Sequence, residues 1–102
     1  MAGVGKLLKQ AQKMQKKIEA LEAQLAETTI DVSSGGGALN ITITVSGDIR
    51  AIKLDPEFLK EDQTFLEETL ATGVQDAIEA ARKAKEEAMG EVTAGMNMPG
   101  LF

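Results

Sequence analysis

The 102 residues carry 16 acidic and 11 basic side chains, for a net charge of −5; that length makes one domain, residues 1–102, with a modest core that association would enlarge. Cys, His, Trp and Tyr are absent, which excludes disulfides, thiolate or imidazole metal sites, and Cys or His catalysis. An acidic total argues against indiscriminate polyanion binding, but it leaves room for a local basic face.

Met1 to Gly5 reads as a short mobile lead. It has no apolar signal core, and no apolar run approaches membrane-spanning length, so a cytoplasmic protein with no membrane partner is expected. Gly5-Lys6 resembles the end of a phosphate-binding loop, but Leu7 stands where Ser or Thr would hold magnesium. From Lys6 to about Leu25 or Ala26 the chain predicts a helix. Leu7, Ala11, Met14, Ile18, Leu21 and Leu25 recur in steps of four and three, a heptad seam.

The other face of that helix carries Lys6, Lys9, Lys13, Lys16 and Lys17, with no acid before Glu19. At about 100° per residue this stripe centres roughly 130° from the apolar one. It breaks local rules. Lys9 and Lys13, and Lys13 and Lys17, are like charges four residues apart, and cations sit badly near a helix start. Such a conflict points either to a phosphate-facing surface or to neutralisation by acids elsewhere in the fold. Gln10 and Gln12 are polar helpers for the first reading.

Glu27 to Ser34 alternates as a strand, with Ile30 and Val32 on one face. Ser33 to Gly37 then reads as a turn; a phosphate cradle would need a following Lys and helix, and a strand follows instead. Ala38 to Ser46 is the clearest strand, with Leu39, Ile41, Ile43 and Val45 facing one way and Asn40, Thr42 and Thr44 the other. Gly47-Asp48 makes a tight connection to Ile49–Leu54, where the alternation falters and a bulge near Arg50 would restore it. Asp55-Pro56 starts a short helical turn through Lys60, and Asp62 offers a second cap.

The chain then predicts one long helix to about Gly90. Leu66, Leu70, Val74, Ala77, Ile78, Ala81, Ala84, Ala88 and Val92 form its stripe, and Gly73 inside it marks a close contact or a slight kink. Arg82, Lys83 and Lys85 form a second basic cluster. Here acids stand four residues away: Glu79 from Lys83, Arg82 from Glu86 and Lys83 from Glu87, so a self-neutralised face is expected. Residues 93–102 read as a flexible tail, with a Met-rich contact segment as the alternative.

Helix, three strands in an antiparallel meander, a short turn and a helix give an α+β domain of order α-β-β-β-α. The two long helices should lie antiparallel, with Met1–Lys17 and Arg82–Val92 meeting at a tip remote from the sheet. A two-fold dimer with paired helical arms would cover the heptad seam and the sheet edges. No convergent pocket is indicated, so no enzyme activity, cofactor or metal is expected.

LLKQAQKMQKKI, the ALNITITVSGDIRAIKLDPEFL block, LEETLATGVQDAIEAARK and the closing GM-x-MPG together resemble the YbaB/EbfC family of bacterial nucleoid-associated proteins. The resemblance covers nearly the whole chain. It implies a homodimer shaped like tweezers that binds duplex DNA with little sequence preference, located in the nucleoid and affecting nucleoid organisation and gene expression. On that reading Lys6, Lys9, Lys13, Lys16, Lys17, Gln10 and Gln12 contact DNA, with Arg82, Lys83 and Lys85 as a second contribution. The family's genes often lie near recombination or replication genes. A dimeric module that docks on a replication or recombination protein is therefore the alternative.

Overall fold

The structure, a computed structural model, describes residues 2–95. Its order is helix α1 (Ala2–Glu27), strands β1 (Thr29–Ser34), β2 (Leu39–Thr44) and β3 (Ile49–Leu54), a short 3-10 turn at Phe58–Lys60, and helix α2 (Gln63–Gly95). This is the expected α-β-β-β-α arrangement. The strands lie in the order β1-β2-β3, both pairs antiparallel.

Both helices run longer than the sequence reading gave them. α1 begins at Ala2, so the described part of the expected mobile lead is helical. Val4 stands three residues before Leu7 and carries the apolar phase back through Gly3 and Gly5. α2 likewise passes Gly90 and takes in residues 93–95 of the expected tail; Val92, four residues after Ala88, continues its stripe. Residues 96–102, and the tail's remaining alternatives, lie outside the described residues.

At the other end of α1 the last turn leaves carbonyls without helical partners. Thr28 Oγ1 donates to Gln24 O at 2.8 Å and Arg50 Nη2 donates to Ala26 O at 3.2 Å. Arg50 is also the extra residue of the predicted bulge: Thr42 faces Ala51 while Ile43 faces Ile49. The bulge puts Leu54, Ile52 and Ile49 on the same face as their partners Leu39, Ile41 and Ile43. The turn between β1 and β2 is Gly35–Gly37 closed by Ala38, whose N–H donates to Gly35 O at 3.3 Å; the glycines have φ of 62°, 68° and 95°, values that suit residues without a Cβ, and Ser33 and Ser34 belong to β1.

Thr44 departs from the expected pattern. It is fully buried although it lies on the face assigned to exposed polar residues. Its hydroxyl accepts from Asp48 N–H at 2.9 Å and meets Ser46 Oγ at 2.8 Å, so the β2–β3 turn folds over it and satisfies it. Asp55 Oδ1 accepts from Glu57 N–H at 3.0 Å, but the 3-10 turn sits later, at Phe58–Lys60, with Glu57 and not Asp55 as its N-cap. Asp62 caps α2 through Phe65 N–H at 3.4 Å.

The core is one layer. Leu39, Ile41 and Ile43 meet Ala77 and Ala81, with Ile30, Val32, Leu70 and Val74 around them. Gly73 is a close-contact position: a Cβ there would stand 2.2 Å from Leu39 Cδ2. Ile78, expected in the stripe, is exposed. A helix about 10 Å across covers two strands spaced about 4.8 Å apart, not three. α2 packs on β1 and β2, and Ile49, Ile52 and Leu54 of β3 stay exposed on the core side of the sheet.

Thr69 lies by Gly35, Gly73 by Ser34 and Leu39, and Ala77 and Ala81 over Ile41 and Ile43. α2 therefore runs toward the start of β1, where α1 ends, and its second half continues beside α1, which it contacts, in the antiparallel sense. The molecule measures 71 × 23 × 16 Å.

Candidate nucleic-acid interface

The heptad seam of α1 is buried by degrees. Leu25 is buried, Leu21, Ile18 and Met14 are half-buried, and every residue from Gly3 to Lys13 is exposed, Leu7 included. Helix lengths explain the gradient. From Ala81, the last core residue of α2, to Gly95 the helix rises about 21 Å, whereas from Leu25 back to Gly3 α1 rises about 33 Å. The first turns of α1 overhang the described end of α2.

Lys6 and Lys9 sit on that overhang; exposed Lys13 lies just inside it, and Lys16 and Lys17 follow, beside half-buried Ile18. At about 100° per residue the five lysines occupy an arc of roughly 100°, bordered by Gln10 on one side and Gln12 on the other. They span about 16 Å along the axis. Among the described residues, no carboxylate makes an ion pair with any of them, and Glu86, Glu87 and Glu91 of α2 do not reach across.

The second cluster is placed and paired differently. Arg82 follows buried Ala81, so Arg82, Lys83 and Lys85 lie at the root of the helical arm, not at its tip as the sequence suggested. Arg82 is held by both Glu79 and Glu86, with Nε donating to Glu79 Oε2 at 3.1 Å. The Arg82 hydrogen bond, more than its charge, holds the Glu79 carboxyl below the usual carboxylate range. The expected Arg82–Glu86 pair is present; Glu79 pairs with Arg82 in place of Lys83. Lys83 and Lys85 are exposed.

Sequence reasoning missed two features. One is Arg50, whose role in closing α1 depends on a bulge aiming it. The other is the exposed apolar face of β3. Its apolar residues were readable, but the width of the covering helix was not.

Among the described residues no three acidic side chains converge as metal ligands, and no helix is long and apolar enough to cross a membrane. The arrangement offers a dense cationic stripe on a narrow, solvent-surrounded helix, suited to lying against a polyanion. Comparison with known proteins agrees in kind. The chain is 43% identical over 94 residues to a nucleoid-associated protein of Beijerinckia indica subsp. indica, covering 91% of this chain and 93% of that one. It shares its fold with an uncharacterised protein from Helicobacter pylori whose crystal structure superposes with a TM-score of 0.69, at 22% identity over 85% of this chain and 89% of the other. The model of the YbaB/EbfC DNA-binding family matches residues 1–96, and the chain belongs to that family.

Proposed function

We propose that this protein is a nucleoid-associated homodimer that holds duplex DNA against the lysine stripe of α1 with little sequence preference, and so affects nucleoid organisation and gene expression. The observation that carries the reading is the stripe itself: five lysines on one face of an overhanging helix, with no ion pair among the described residues. Lys6, Lys9, Lys13, Lys16 and Lys17 neutralise phosphates, and Gln10 and Gln12 add hydrogen bonds at the edges of the stripe. Lys83 and Lys85 give a secondary contribution at the arm's root, where Arg82 is already engaged by two carboxylates.

α1 contains no Arg and no aromatic residue. Bidentate reading of guanine edges and stacking on unpaired bases therefore have no side chains there. The dimer forms over the exposed Ile49, Ile52 and Leu54 face of β3, which needs an apolar cover. The name of the Beijerinckia relative supports the nucleoid role.

The test is titration of unrelated duplexes over a range of salt. Each neutralised phosphate contributes about −0.9 to the slope of log K against log salt, so two arms using two or three lysines each give roughly −4 to −5. A flat salt dependence rejects the electrostatic clamp. A large preference for one duplex rejects the non-specific part.

A further inference from the structure

The end of the molecule opposite the α1 tip has its own chemistry. Leu59 is 57% exposed and Phe65 47% exposed. The Phe65 ring stands edge-on to buried Phe58, with centroids 6.0 Å apart, so it is held in place while its outer face meets water. Phe65, Phe58 and Ala38 line a shallow groove that Gly35 and Gly36 leave open on one side. Its lining is acidic as well: Asp55, Glu57 and Glu61 border it, Glu68 borders an adjoining hollow that shares Gly35 and Phe65, and Lys60 close by pairs with Glu57 at 3.2 Å.

The overhanging tip of α1 is the complement. Val4, Leu7 and Leu8 are each more than half exposed, with Lys6 and Lys9 on the flank and far side of the same turns and no acid before Glu19. An isolated basic helix has no intrinsic use for three exposed aliphatic side chains, whereas a helix seated in a groove does. The tip cannot reach the groove of its own chain, because the two lie at opposite ends of a molecule 71 Å long.

We infer that the α1 tip of one copy docks in the Phe65 groove of a second copy, aliphatic side chains against Leu59 and Phe65, lysines against Glu61 and Glu68. The contact joins two different surfaces, so it does not close on itself and can repeat from copy to copy. It uses lysines assigned above to phosphate but does not require that assignment, since it forms without nucleic acid. With duplex present the two partners compete for the same side chains.

The experiment uses the full chain without DNA. Sedimentation velocity over a concentration series should show species beyond the salt-resistant unit at about 50 mM salt, weakened about tenfold or more at about 500 mM, where the screening length falls to a few ångströms. Zero-length carbodiimide coupling of an equal mix of isotope-labelled and unlabelled chains should join Lys6 or Lys9 of one chain to Glu61 or Glu68 of another. Glu61→Lys with Glu68→Lys should abolish both signals, and adding Lys6→Glu with Lys9→Glu to the same chain should restore them. Leu59→Ser, at an exposed position, should weaken the association without a charge change. Links that appear with no larger species would place the contact inside a closed unit and overturn the inference. Association that ignores the base substitutions, or a charge swap that fails to restore it, overturns it equally, and leaves the groove to a basic segment of another protein. Neither result bears on duplex affinity, which is measured separately.

Discussion

Lys9→Ala with Lys13→Ala separates a DNA-binding role of the α1 stripe from a structural one. Both side chains are exposed, Lys9 on the overhang and Lys13 just inside it, and neither is ion-paired among the described residues. Removing them therefore breaks no packing and no pair within the chain. It also relieves the like-charge neighbours Lys9–Lys13 and Lys13–Lys17, each costing roughly 0.2–0.5 kcal/mol, and replaces Lys by a slightly better helix former. The thermal midpoint should hold or rise slightly. Binding should respond strongly: two lysines on each of two arms amount to as many as about four phosphates, so the salt slope should flatten by up to roughly 3.6 units. Fluorescence anisotropy of a labelled duplex and a thermal melt on the same preparation measure both quantities. Unchanged affinity would remove these lysines from the interface. A falling midpoint would show that acids, from α2 or from a second copy, neutralise them in the assembled protein; together with unchanged affinity it would favour docking on a replication or recombination protein.

Three further outcomes are expected. Gly73→Ala places a Cβ 2.2 Å from Leu39 Cδ2; overpacking of about 1–3 kcal/mol, less up to about 1 kcal/mol of helix propensity, should lower the thermal midpoint, whereas in a Leu39→Val background the same change should raise it. Both melts need equal protein concentration, because association feeds into the midpoint. Ile52→Asp puts a charge on the exposed β3 face and should raise the dimer dissociation constant about 30-fold or more, equivalent to about 2 kcal/mol; light scattering that still gives twice the chain mass at low micromolar concentration would move the dimer to another surface. Arg82→Gln should lower stability near neutral pH and lose that effect in acid. Glu79 is held below its ordinary range in the folded chain, so the stabilisation is full above that ordinary value and drains as pH falls through the lowered one; a difference that grows in acid would contradict the pairing.

Period and parity were legible in the sequence; the extent of cover was not. The heptad steps identified the face of α1 that turns inward, yet its burial stops at Met14, because the described part of α2, which ends at Gly95, rises less far from the sheet than α1 does. The broken alternation around Arg50 located the bulge correctly, since a two-residue period shows a phase slip in the chain itself. The capping of α1 by Arg50 was not legible, because the donor and acceptor are 24 residues apart. Gly3, Gly5 and Gly90 suggested helix ends through local propensity; at Gly90 the half-buried Val92 continues the packed stripe past the glycine, and at the start of α1 the helix runs through both glycines. The lysine stripe was readable residue by residue, but its freedom from acids on the neighbouring helix needed the offset of the two arms.

That offset also accounts for how a chain of net charge −5 can present a surface to a polyanion. Charge acts over the screening length, about 8–10 Å near physiological salt. The carboxylates from Asp55 to Glu68 lie at the far end of a body 71 Å long, many screening lengths from Lys6 and Lys9. Glu19 and Glu22 lie on α1 itself, about 15 Å or more along the axis from Lys6 and Lys9; the acids of α2's second half, Glu86, Glu87 and Glu91, come near the arm, and the overhang of α1 carries Lys6 and Lys9 beyond the described end of that helix. An acidic total keeps the surface as a whole from binding polyanions indiscriminately. The tip escapes this effect because it is thin, remote and surrounded by solvent. Compacting the arm so that α2 covered all of α1 would bury Leu7, but it would also bring more helix surface, and Glu91 with it, closer to the lysines. The exposed start of the seam at Val4 and Leu7 is the stability forgone within the chain for keeping the cationic tip clear of the protein's own acids.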